Sequence, residues 1–176
     1  IAGIPEAVRN VLKNTEQTVS KEVPTRTDYV FTGWTSDEVI VENGMFTMPA
    51  KDVTFTATWE EDRNQDGIPD EDQVLTIVFD AGEGSFKDDA SYTYTLIPGD
   101  AYPTAPGAEK LNAPEGKAFD SWDPTYDLTG TVPEGQKTET KNYTAQYGED
   151  SNGDGTPDDK EEKYTITYES GAEDES

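Results

Sequence analysis

The sequence predicts a mainly β chain of tandem modules, and three observations carry that reading. Apolar and polar residues alternate with period two along several short segments. Those segments recur at a nearly constant offset of 88 positions. Between them lie short acidic stretches that contain Gly and Pro. Bulk composition alone reads differently, because 13 Lys+Arg against 38 Asp+Glu leave a formal charge of −25, with 32% hydrophobic residues. Such values match the signature of disorder. Nine Tyr, six Phe and three Trp argue against it, since aromatics and the abundant Thr favour strands.

Along the chain, Ile4, Val8, Val11 and Leu12 fall at helical spacing behind Pro5, which predicts a short helix over 5–13. Tyr29–Trp34 and Glu38–Val41 read as strands, the second turning at Asn43-Gly44, a strong hairpin signal. Val53, Phe55, Ala57 and Trp59 alternate with Thr54, Thr56 and Thr58, the pattern of a half-buried strand. Leu75–Phe79, Tyr92–Leu96, Lys141–Tyr147 and Tyr164–Tyr168 follow the same rule.

The repeat organises these elements. Phe31–Trp34 returns as Phe119–Trp122, and Thr56–Trp59 returns as Thr144–Tyr147, both displaced by 88. Leu75–Gly82 returns as Tyr164–Gly171, displaced by 89. The predicted layout is module 1 over residues 1–60 without a first strand, a linker at 61–73, and a complete module 2 over 74–148. A second linker at 149–162 and the first strand of a third module at 163–176 complete it. Modules of this size bury thin cores and are marginal without an added constraint. Trp34 and Trp122 are expected to be core anchors packed against the last strand of each module at Trp59 or Tyr147.

Both linkers carry one grammar. Asp62, Asn64, Asp66, Gly67 and Asp70 occupy positions 1, 3, 5, 6 and 9 of a loop whose second copy is Asp150, Asn152, Asp154, Gly155 and Asp158. Ca²⁺ takes six to eight oxygens, and alternate side chains of a tightly turned loop converge on one point. Glycine at position 6 allows the turn, and the carbonyls of Ile68 and Thr156 at position 7 add a ligand. Glu161 stands at position 12, where a bidentate carboxylate is expected, whereas the first loop has Gln73 there. The expected metal ligands are therefore Asp62, Asn64, Asp66, Ile68 and Asp70 in one loop. In the other they are Asp150, Asn152, Asp154, Thr156, Asp158 and Glu161, giving two Ca²⁺ in all. Pro69 and Pro157 interrupt helix formation, so a clasp between modules fits better than a sensor's helix pair. The plain alternative is a pair of solvated acidic linkers.

Composition also excludes. A pI near 4.1 repels phosphate backbones and anionic membrane surfaces, and no apolar run approaches the roughly 18 residues that span a bilayer, so neither nucleic acid nor membrane insertion is expected. Without Cys or His there is no thiolate catalysis, disulfide or imidazole base. Paired carboxylates of a glycosidase are the remaining enzymatic option, but among 38 acids some pair is always close.

The linker loops resemble the calcium-binding segments of thrombospondin type 3-like and dockerin-like linkers, in which metal straightens a joint between surface modules. Tyr29–Trp34, followed by Met48-Pro49-Ala-Lys-Asp52-Val-Thr54, resembles the Listeria–Bacteroides repeat of internalin B-repeat type. Module 2 departs from that pattern, with Ser121 in place of Gly33 and no Met-Pro. The resemblance implies small β-grasp-like, α+β modules that serve without catalysis as stalks or adhesion units on a bacterial cell surface. A host or cell-surface protein, or a glycan, is the partner it would imply, and an accessory binding module is the alternative function. The unpaired first strand at 163–170 also suggests head-to-tail strand exchange between molecules.

Overall fold

A computed structural model describes residues 1–88 and 90–169 of the chain. The fold is mainly β, and helix is confined among these residues to three 3₁₀ turns at Asp70–Gln73, Ala108–Lys110 and Asp158–Lys160. The strands in chain order are β1 (Glu16–Thr18), β2 (Tyr29–Thr35), β3 (Met45–Thr47), β4 (Thr56–Glu61) and β5 (Leu75–Asp80). They continue with β6 (Ser85–Phe86), β7 (Tyr92–Leu96), β8 (Leu111–Asn112), β9 (Lys117–Asp123) and β10 (Glu139–Glu149). Pairing gives two-stranded sheets β1-β3, β2-β4 and β6-β8, and a four-stranded sheet ordered β7-β5-β10-β9. Two compact units emerge, one of Ile1–Ile77, Tyr94–Tyr102 and Thr129–Lys141, the other of the intervening segments beginning at Val78, Pro103 and Asn142.

In the first unit, β2 and β4 run antiparallel with Phe31 opposite Trp59, Trp34 opposite Ala57 and Thr35 opposite Thr56. The register slips once, between Phe31 and Gly33, so Thr32 is a bulge. Residues three apart on a regular strand face opposite sides, but the extra residue turns Phe31 and Trp34 to the same one. Their rings meet edge to face at 5.3 Å, and Phe31 meets Trp59 at 5.7 Å. Phe46 on β3 packs on Phe55, just before β4, at 5.2 Å. The Asn43-Gly44 turn forms as the sequence predicts, with both residues at positive φ (52° and 77°) and Glu42 and Met45 exchanging two 2.9 Å hydrogen bonds.

The second unit repeats this pairing position by position. Phe119 lies opposite Tyr147, Trp122 opposite Ala145 and Asp123 opposite Thr144, with the slip again one residue after the Phe. Ser121 holds the place of Gly33, so the glycine is not what makes the bulge. Phe119 contacts both Trp122 (5.5 Å) and Tyr147 (6.3 Å), as Phe31 does their counterparts. Each Trp thus lies against the last strand, opposite Ala57 or Ala145, and the Phe of its own strand contacts both it and the aromatic residue of the last strand. Phe79 of β5 completes this core, meeting Trp122 edge to face at 4.9 Å and Tyr126 at a tilt at 5.1 Å, and stacking on Tyr143 at 5.4 Å. Trp122 is buried and its indole N–H donates to the Pro106 carbonyl at 3.1 Å.

Three local expectations are corrected. Residues 5–13 form no helix, and Asn10 and Asn14 take left-handed φ values of 60° and 63°. Nine residues nucleate a helix poorly, and two β-branched valines weaken it further. Residues 38–41 form no strand and the chain bends at 37–39, because the Ser36 hydroxyl accepts from the Glu38 N–H and donates to its carboxylate. Residues 163–169 alternate as a strand should yet join no ladder, and 170–176 of that predicted strand lie outside the described residues.

Candidate functional site

Each acidic loop is built on its first aspartate. In loop 1 (62–73) the two oxygens of Asp62, which is nearly buried, accept the N–H groups of Asp66 (3.1 Å) and Gly67 (3.0 Å). In loop 2 (150–161) Asp150 accepts the N–H groups of Asp154 (3.2 Å) and Gly155 (2.9 Å), and also that of Gly153 (2.7 Å). The turn needs positive φ at positions 4 and 6, met by Gln65 (57°) and Gly67 (86°) in one copy and Gly153 (74°) and Gly155 (88°) in the other. Position 5 accepts from the N–H of position 7 in both, Ile68 to Asp66 at 2.9 Å and Thr156 to Asp154 at 2.8 Å. The sequence repeat is therefore also a repeat of hydrogen bonds.

Position 9 does a different job from positions 1, 3 and 5. The Asp70 carboxylate takes the Arg63 N–H at 3.0 Å and the Arg63 guanidinium at 2.8 Å. Asp158 takes the Ser151 N–H at 2.8 Å and its hydroxyl at 2.6 Å. These aspartates clamp the loop entrance, and the hydroxyl and N–H of Ser151 hold the Asp158 carboxyl below its ordinary range. Arg63 is raised in turn by its bond to Asp70.

Position 12 folds onto the centre in each copy. Gln73, which sequence reasoning left out of the ligand set, is 2% exposed. Its amide donates to both Asp66 oxygens (3.1 and 3.0 Å) and reaches the Ile68 carbonyl at 3.5 Å. Asn64 also donates to Asp66 at 3.0 Å. Partial burial raises the Asp66 carboxyl, but the Ile68 N–H and the Gln73 and Asn64 amides outweigh it and leave a lowered pKa. In loop 2 the Glu161 carboxylate accepts from Asn152 at 2.9 Å. The Thr156 N–H, and then the neighbouring Glu161 carboxyl, lower the pKa of Asp154. The position within the twelve-residue grammar was the signal that could have placed Gln73.

Asn64, Asp66, the Ile68 carbonyl and Gln73 thus meet, as do Asn152, Asp154 and Glu161. Asp62 and Asp150 are taken up by main-chain N–H groups, and Asp70 and Asp158 by the residue at position 2. Among the described residues no three Asp or Glu side chains cluster closely enough to hold a metal by themselves. The donor sets are mixed instead, of carboxylate, amide and main-chain oxygens, which is the chemistry of a hard cation such as Ca²⁺. Two buried oxygens in loop 1, Asn64 Oδ1 and Gln73 Oε1, receive no hydrogen bond. Such atoms are costly unless something positive faces them. Turning the Gln73 amide about its last bond would present Oε1 to the centre in place of the NH₂. The residues present therefore fit a bound cation.

The loops are fixed to their surroundings unequally. In loop 1 Asp62 N–H donates to Asp28 O, the Gln65 amide to the Asp28 carboxylate, and the Thr138 hydroxyl to Glu71 O. Loop 2 is held by Asp150 N–H on Gly116 O and by Lys160 on Asp120 at 3.2 Å.

Residues 12–63 match the model of the divergent InlB B-repeat domain. That segment contains the β2–β4 pair and the start of loop 1, and it is similar to a repeat module of this kind. No match was found among curated proteins or among solved structures. Among the described residues no helix is long and apolar enough to cross a membrane.

Proposed function

We propose that this chain is a non-catalytic, calcium-binding repeat segment of a bacterial surface protein, a stalk or adhesion unit whose joints stiffen when each loop takes one Ca²⁺. The observation that carries it is a loop hydrogen-bond pattern that recurs 88 residues later, together with two buried oxygens in the first copy, Asn64 Oδ1 and Gln73 Oε1, that have no hydrogen-bond partner. Carboxylates held within one short loop repel, and a cation relieves that repulsion while bridging positions that otherwise meet only through amides. Binding to the folded loop alone stabilises it by mass action. The InlB B-repeat match supports the surface setting and a structural role.

Calorimetric titration with Ca²⁺ is expected to give two sites per chain, and small-angle scattering a more extended, narrower ensemble with Ca²⁺ than with chelator. Absence of binding heat would remove the metal. Binding with an unchanged radius of gyration would leave a metal site but no stiffened joint.

A further inference from the structure

We propose that Asn152 in loop 2 is a self-modification site: without metal its side chain closes onto the Gly153 nitrogen and loses ammonia, and Ca²⁺ holds that reaction back. The dipeptide supplies the reactivity, because asparagine cyclises most readily where no Cβ on the next residue crowds the attacking nitrogen. The chain has two such pairs, Asn43-Gly44 and Asn152-Gly153, whereas loop 1 has Asn64-Gln65 at the same place. Loop 2 surrounds its pair with the groups the step uses. The Gly153 N–H donates to Asp150 Oδ1 at 2.7 Å, so a proton acceptor already stands on the nucleophile. The Asp154 N–H donates to Asn152 Oδ1 at 3.0 Å, where negative charge gathers as the nitrogen adds. The amide nitrogen that must leave lies at the Glu161 carboxylate, 2.9 and 3.2 Å from its two oxygens. Asn152 and Gly153 are both exposed, so water reaches them. Asn43-Gly44 instead sits in a turn clasped by the two 2.9 Å hydrogen bonds between Glu42 and Met45.

The reaction balances with water as its only co-reactant. The Gly153 nitrogen gives its proton to Asp150 and its electron pair to Asn152 Cγ. The Cγ–Nδ2 bond then breaks, and the amide nitrogen leaves as ammonia with the proton that Asp150 held. Water opens the resulting five-membered imide on either side. Opening at Cγ leaves an aspartate in an unaltered main chain. Opening at the main-chain carbonyl leaves an isoaspartate, whose main chain runs through Cβ and Cγ. That second product lengthens the backbone between loop positions 3 and 4, next to the turn that Gly153 makes at a φ of 74°. The spacing that brings alternate positions toward one ion is then lost. Control by metal rests on the calcium reading: Asp150 and Asn152 are two of the residues that would hold Ca²⁺. An occupied loop therefore has neither the free carboxylate nor the free side chain. Loop 1, with Gln65 after Asn64, lacks the reactive pair, so the two joints age unequally.

Peptide mapping by mass spectrometry tests this on the full chain, incubated at one neutral pH with chelator or with Ca²⁺. In chelator Asn152 is expected to convert about tenfold faster than Asn43, the reference within the same molecule. With Ca²⁺ at about ten times the dissociation constant of the site, the rate should fall about tenfold, since only the metal-free loop reacts. The D150N variant lacks the proton acceptor and should bring Asn152 down to the rate of Asn43 or below. Gly153→Gln copies Gln65, which holds a φ of 57° at the same loop position, and should stop the reaction. The self-modification is overturned if Asn152 stays intact in chelator while the urea-unfolded chain converts, if it trails Asn43, or if D150N converts as fast as the wild type. Control by metal is overturned if Ca²⁺ gives binding heat for loop 2 yet leaves the rate unchanged. Absence of binding heat removes the calcium reading and this control together, while the reaction in chelator is still decided by mass.

Discussion

The β2–β4 and β9–β10 pairs share register, bulge and aromatic triad, yet their cores differ. Trp122 is buried, with Phe79 of β5 set edge to face against it at 4.9 Å, whereas Trp34 is only half-buried and borders the open cleft. The hairpin register is thus a local property, set by alternation and by one bulge, and it forms whether or not a third strand is present. Burial is not local. It depends on a strand that enters the sheet from elsewhere in the chain, and the same Phe-x-x-Trp sequence ends in a closed core or an open one accordingly.

That difference should be visible in stability. Replacing Phe79 by Ala removes a ring held by three aromatic neighbours and leaves a cavity, expected to cost about 3–5 kcal/mol. Replacing Phe55, whose ring meets Phe46 at 5.2 Å but also borders the cleft, is expected to cost roughly half of that or less, since part of its surface is already wet. Urea unfolding of both variants, followed by aromatic fluorescence, gives the comparison. Equal losses would mean that the first core is as closed as the second.

The loops sharpen the contrast from the other side, because they share a backbone and differ at position 12. Gln73→Glu gives loop 1 the carboxylate that loop 2 has in Glu161, and Glu161→Gln makes the reverse change. A charged, bidentate ligand in place of an amide is expected to tighten Ca²⁺ about tenfold in the first case, and the exchange to weaken it about tenfold in the second. Calorimetry on the two variants reads each site against the unchanged one. If both affinities stay fixed, position 12 does not reach the metal.

Much of this was legible in the sequence, and the parts that were not have physical reasons. Alternation placed β5, β7 and most of β2, β4 and β10, because a strand buried on one face must show period two. The Asn43-Gly44 turn was legible for the same kind of reason, since few dipeptides accept two successive positive φ values. The 5–13 segment misled because Ile4, Val8 and Val11 have helical spacing, yet they serve a cleft that only the folded sheet creates. Glu38–Val41 misled because a serine two residues before a glutamate closes a side-chain turn that periodicity does not register. At the loops, the recurrence of the residue types at positions 1, 3, 5, 6 and 9 could be read from spacing. The clamp between positions 2 and 9 could not, because Arg63 and Ser151 share no chemical pattern beyond the ability to donate.

That clamp yields the smallest expected effect. Arg63 carries a positive charge at the mouth of loop 1, bonded to Asp70 and 3.8 Å from Asp100, where loop 2 has the neutral Ser151. Its side chain is 55% exposed, so water and salt screen most of the ion pair, and Arg63→Ser is expected to change stability by less than about 1 kcal/mol. Serine can also replace the lost bond, since Ser151 already donates its hydroxyl to Asp158 at 2.6 Å. What the substitution does remove is a cation beside the metal loop. The Ca²⁺ affinity of loop 1 is therefore expected to rise by about twofold at low ionic strength and to fall back toward wild type as salt is added. A larger gain that persists in high salt would mean that Arg63 occupies the loop instead of guarding its edge.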